Sequence, residues 1–285
     1  MKRLSFALRG IGLLPLLFQL TAVASAQQID FPRPSPDASI SQTIGLTEIT
    51  LHYSRPGVKG RKIWGGVVPF GQVWRTGANE NTTIRFTTAA KVEGHEVPAG
   101  LYGVQTIPTD GEWTLILTKD NDKLGAFSYK PENDVLRVQL KPQPAELQER
   151  MGFEFTDLTD TSAKVVLRWE KLAVPFTITV DTPKLVETRA KAAIGWRPLY
   201  QAASYCLQNN VCLDEAGGWL DASISLEGNF SNYRAKAELL AGKGDFHGAV
   251  ANGEKALAAA KKAATPPPAD AVSAFEKKVS DWRKK

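Results

Sequence analysis

One stretch of this chain concentrates the residues that could do chemistry: positions 53–80, YSRPGVKGRKIWGGVVPFGQVWRTGANE. Arg55, Arg61 and Arg75 carry planar guanidinium forks that match the oxygens of carboxylate, phosphate or sulfate. Trp64 and Trp74 bring ring faces that stack on sugars or cations. Asn79 and Glu80 add an amide and a carboxylate. These seven residues form a candidate site for a small anion or a glycan. A second reading needs no ligand. Arg55 would tie the loop to a sheet through backbone carbonyls, Arg75 would pair with Glu80, and Trp64 and Trp74 would plug one end of a sandwich. Six glycines let the segment turn tightly, so it is neither a single strand nor a plain linker.

Other chemistries find less support. A hydrolase acting on envelope polymers would need Glu80 and a second acid. Glu48, Glu93, Glu96 and Glu112 fall on strands or turns, where carboxylates are usually solvated. His52, His95 and His247 are scattered, and no His or Cys pair in the β region has ligand spacing, so no metal and no cofactor is expected. Ser54 shares a strand face with His52, but nothing supplies the third group of a nucleophilic triad. No Gly-x-Ser-x-Gly elbow and no phosphate-binding glycine loop of the strand-to-helix kind is present.

The elements around this stretch follow from pattern. Lys2, Arg3 and Arg9, an apolar run to Val23, and Ala24-Ser25-Ala26 read as a secretory signal peptide over residues 1–26. Pro15 interrupts the apolar run, so a membrane-spanning helix is the weaker reading. A periplasmic or secreted protein, not an integral membrane protein, is expected. Without the signal, 32 basic residues face 30 acidic ones, and no concentrated basic face suggests a nucleic-acid partner. In an oxidising compartment Cys206 and Cys212 favour a disulfide over two buried thiols.

Residues 27–38, with three prolines, read as a flexible leader. Gly45 separates two strands, and Ile49, Leu51 and Tyr53 alternate with polar residues in the second. Further strands are expected at 82–89, 91–97 (a hairpin at Gly94), 101–107, 113–119, 135–140, 153–158, 163–170 and 176–180. Trp113, Phe153, Phe155, Trp169 and Phe176 are assigned to the core. Many short strands without helical periods predict an antiparallel β-sandwich, jelly-roll-like, over residues 39–182. Residues 183–285 are Ala-rich and helical. Leu213-Asp214-Glu215-Ala216 recurs 33 residues later as Phe246-His247-Gly248-Ala249, close to the tetratricopeptide period, although Gly217-Gly218 departs from that pattern. Val272, Phe275, Val279 and Trp282 share one face of a final helix, either a cap on the repeats or a membrane-surface helix. Stacked repeat helices offer a surface for a protein partner, or they pack on the sandwich. The fold class is thus α+β multidomain.

Several runs together carry a family resemblance: Ser54-Arg55-Pro56, Gly60-Arg61, Trp64-Gly65, Pro69-Phe70-Gly71, Trp74-Arg75-Thr76-Gly77-Ala78-Asn79-Glu80 and Pro98-Ala99-Gly100-Leu101-Tyr102. From about Ile40 to Asp181 the chain resembles the bacterial family catalogued as domain of unknown function 2911. The resemblance implies export and, in some members, a tetratricopeptide-like tail. It carries no activity with it.

Overall fold

The computed structural model describes residues 31–121 and 129–285. The expected signal peptide lies outside the described residues. Strands β1 (Asp37–Ile44) and β2 (Thr47–Ser54) form a hairpin. Its turn needs glycine twice over. Gly45 has φ +56°, and a Cβ there would sit 2.0 Å from Thr182 Oγ1. In β2 the alternation works as a half-buried strand should: Ile49, Leu51 and Tyr53 are buried while Glu48 and His52 are exposed. The ordered fold also reaches back into the expected leader. Asp37 and Ala38 are already in β1, and the carbonyls of Pro34, Ser35 and Pro36 all accept hydrogen bonds from the body of the fold.

The remaining strands are β3 (Thr83–Phe86), β4 (Ala90–Val92), β5 (His95–Val97), β6 (Gly100–Ile107), β7 (Trp113–Thr118), β8 (Asp134–Leu140), β9 (Gln143–Thr156) and β10 (Ser162–Thr179). They make two antiparallel sheets, in the orders β1-β2-β3-β6-β7-β8 and β5-β4-β10-β9. One continuous core lies between them, from Ile44 to Val180, with Trp113, Trp169 and Phe86 among its largest fully buried side chains. Phe153 and Phe176 are buried there too, and Phe155 packs against the core half-buried.

Two strand boundaries differ from expectation. The runs at 163–170 and 176–180 are one strand. Pro175 falls between the residues of β10 paired with β9 and those paired with β4, where its missing N–H costs no ladder bond. Strand β9 begins ten residues before Phe153, at Gln143. Its first half lacks alternation because it is mostly exposed, and its register against β10 shifts around Glu170, which has φ +55°.

The helical part comprises α1 (Thr182–Lys191), α2 (Trp196–Asn209), α3 (Leu213–Leu226), α4 (Phe230–Gly242), α5 (Phe246–Lys262) and α6 (Ala269–Trp282). The first helix opens on an Asp181 cap that accepts from Lys184 N. Helices α2/α3 and α4/α5 form antiparallel hairpins, and the starts of α3 and α5 are 33 residues apart, matching the internal repeat. A disulfide joins Cys206 to Cys212 across the first corner, with Cα atoms 5.4 Å apart. Ala203, Ala216, Leu220, Ala235 and Leu239 pack with Cys206 in one cluster; Phe230, Ala237, Ala256, Phe275 and Val279 build a second. The apolar face of α6 is therefore turned onto α4 and α5. Among the described residues no helix is long and apolar enough to cross a membrane. Residues 34–285 form one compact unit.

Candidate functional site

Between β2 and β3 the chain runs for almost thirty residues without regular structure, and its backbone groups still find partners. Pro56 O accepts from Met151 N, and Val58 N donates to Glu149 O, so the first part lies along the edge of β9. Further on, Trp74 exchanges two backbone bonds with Thr106 of β6, at 2.7 and 2.8 Å. The segment thus touches both sheets and closes one end of the sandwich.

The seven predicted site residues separate into three groups. Arg55, Arg61 and Asn79 are tied into the fold. Arg55 Nε donates to Met151 O (2.8 Å), and Arg61 donates to Gly57 O (2.6 Å) and Val58 O (3.1 Å). Asn79 Nδ2 donates to Ser35 O and to Ser54 Oγ. Trp64 and Trp74 enter an aromatic cluster with Trp113 and Trp169. Trp64 meets Trp113 edge-on at 4.8 Å between ring centroids, while Trp74 stacks on Trp169 at 5.9 Å. The Trp74 indole N–H donates to Gly77 O.

Arg75 stands apart. It is half-buried, its Nε is shut off from solvent, and no hydrogen bond or ion pair holds its guanidinium among the described residues. It does not pair with Glu80, which is itself half-buried and has interactions of its own. The neighbours on either side of Arg75 turn into the core: Trp74 packs there, and Thr76 is 1% exposed. Arg75 lies between these two core-facing residues and is half-buried, with its Nε inaccessible to solvent. The outer face of the six-stranded sheet carries Gln105, which neighbours Thr106 on β6 and alternates with the core residue Val104. Gln105 is fully buried, donates from Nε2 to Asn81 Oδ1 at 2.9 Å, and leaves its Oε1 without a donor.

The backbone that presents Arg75 is strained. Thr76 has φ +53°, a conformation that a β-branched residue rarely adopts. Hydrogen bonds hold it: the single Thr76 hydroxyl proton is shared between Thr106 Oγ1 and Trp74 O, and Thr82 Oγ1 donates to Thr76 O at 2.7 Å. Neither Thr76 nor Gln105 stands out in the sequence. Thr76 has the character of an ordinary turn residue, and Gln105 that of the solvent-facing member of an alternating strand.

A groove of about 610 Å³ opens beside the aromatic cluster, with Trp64, Phe70, Trp113, Glu112, Lys141 and Pro144 among its walls. Trp64 alone of the seven predicted residues lines it. Phe70 belongs to the same irregular segment, whereas Glu112 and Lys141 arrive from the β6–β7 turn and the end of β8.

Residues 35–178 match the family described as "Protein of unknown function (DUF2911)", and the chain belongs to it. The match spans the sandwich and the whole irregular segment, and stops just before α1. No curated protein and no solved structure matches the chain.

Proposed function

We propose that this chain is an exported binding module of the bacterial cell envelope that holds a small oxyanion at Arg75. The observation that carries the reading is Arg75, half-buried, with its Nε shut off from solvent and no hydrogen bond or ion pair among the described residues, next to a strained backbone at Thr76. Removing a charge from water without a partner is costly, and a bidentate carboxylate, phosphate or sulfate offsets that cost. Arg55 and Arg61 already donate to carbonyls, so the anion chemistry falls to Arg75. Export is supported by the signal-like leader and by the Cys206–Cys212 disulfide, which suits an oxidising compartment. The division into residues 39–182 and 183–285 is supported by separate apolar clusters on either side of Thr182. The repeat hairpins would then serve a protein partner, leaving the sandwich to the small ligand.

The test is thermal stability and calorimetry of the chain from Gln27 onward against inorganic phosphate, sulfate and acetate, beside Arg75→Gln. At about a hundred times its dissociation constant, a ligand bound only by the folded state adds about 2.7 kcal/mol. Stabilisation by at least one anion, absent in Arg75→Gln, is expected. Equal stabilisation of both proteins, or none of either, overturns the reading.

A further inference from the structure

We infer that the groove beside Trp64 is a second site, independent of Arg75, and that it takes an uncharged oligosaccharide. Aromatic side chains make its apolar part. Trp113 forms part of the wall from within the core, Trp64 is partly exposed, and Phe70 is 42% exposed, a high value for a large apolar ring. Phe70 is placed by its neighbour in space. Its ring edge lies 3.0 Å from where a Cβ on Gly65 would be, and Gly65 has φ +70°. Only a residue without a side chain lets the ring lie there.

The rim supplies the polar half. Glu112 Oε1 and Lys141 Nζ are 3.5 Å apart, and both side chains are largely exposed. So exposed a pair adds little to stability. It does set an acceptor and a donor side by side, the spacing that adjacent ring hydroxyls of a pyranose can bridge. A sugar presents a C–H face to the rings and hydroxyl edges to such a pair. The volume falls within the range of small-ligand sites.

A proline-rich peptide is the rival occupant, because it also uses aromatic grooves. Its carbonyls need indole donors at the surface. Here the Trp113 N–H is held by Thr109 O at 3.2 Å, and Trp64 Nε1 is buried. The groove therefore offers ring faces without ring donors, which suits a sugar better.

The experiment uses isotope-labelled protein from Gln27 onward and follows the indole N–H resonances of Trp64 and Trp113. Cellotriose, chitotriose, maltotriose and a proline-rich peptide are titrated in turn. At least one trisaccharide should shift these resonances saturably. Phe70→Ala should weaken that binding at least about tenfold, and Glu112→Gln, at an exposed position, should weaken it without lowering Tm. Arg75→Gln should leave it unchanged, which separates this site from the anion site. No saturable shift with any trisaccharide overturns the inference, as does a response to the peptide alone or undiminished sugar binding in Phe70→Ala.

Discussion

The sandwich and the helical tail solve the same packing problem with opposite materials. Between the sheets large rings join the aliphatic side chains of the core, with Trp113 and Trp169 almost fully buried and Trp64 and Trp74 closing the end. Between the helices small residues take a larger share: Ala203, Ala216, Ala237, Ala249 and Ala256 are all fully buried, beside larger ones such as Leu220 and Phe275. Sheets packed face to face leave a deep layer that bulky side chains must occupy. Helices approach closely only where side chains are short. The tryptophans of the sandwich therefore act through volume, and the buried alanines of the tail through the lack of it.

The two repeats of the tail differ in the same way at one position. Leu220 in α3 and Gly253 in α5 are equivalent positions of the repeat, 33 residues apart. Leu220 is fully buried in the first cluster. At Gly253 a Cβ would fall 2.5 Å from Val279 Cγ2 of α6. The second copy carries glycine here, and the last helix lies where a side chain would be.

Four substitutions or treatments test this contrast, and the largest effect belongs to the rings. Trp169→Ala should destabilise the sandwich by about 3–5 kcal/mol, read by chemical denaturation. A loss below about 1 kcal/mol would mean that the cluster is not a packing unit. Next, Gly253→Leu, which copies the first repeat into the second, should cost up to about 3 kcal/mol. It should also raise hydrogen exchange across α6, and unchanged exchange there would show that Gly253 does not set the approach of that helix. Reducing the Cys206–Cys212 bond should cost about 2 kcal/mol, as expected for so short a loop. That loss should appear in the melting of the helices, with the sandwich core unaffected.

The smallest effect is one of pH. The Tyr205 phenol is held above its ordinary value of 10.0, first by burial and then by the carboxylates of Asp160 and Asp181. The folded state binds this proton more tightly than the unfolded state. The contribution is present below pH 10 and is lost as pH rises through the folded value. Tyr205→Phe should therefore flatten the decline of Tm above pH 10, and an unchanged decline would show that Tyr205 is not a source of it. Because Asp160 precedes β10 and Asp181 caps α1, this titration also reports how α2 meets the end of the sandwich.

Much of this architecture was legible in the chain itself. The alternation of Ile49, Leu51 and Tyr53, the turn at Gly94, the change from strands to helices at Thr182 and the 33-residue repeat each reflect a local period or a local turn, and local periods survive without knowledge of partners. The passage through Pro175 did not read as one strand, because a proline is harmless there only if the partner strands change at that point. The first half of β9 did not read as a strand at all. Its pattern is polar, and what orders it is pairing with β10.

The same division runs through the candidate site. Composition alone gathered Arg55, Arg61, Trp64, Trp74, Arg75, Asn79 and Glu80 into one segment and made them eligible for ligand chemistry. It could not rank them, since an arginine that caps a carbonyl and one that awaits an anion are the same residue in sequence. Ranking came from three-dimensional neighbours. Met151 O and Gly57 O engage two of the arginines, while no hydrogen bond or ion pair among the described residues holds Arg75. Chain chemistry determined which groups are available, because side-chain type is local. Tertiary structure decided which stay free to act, because that depends on which distant backbone atoms the fold brings within hydrogen-bonding reach.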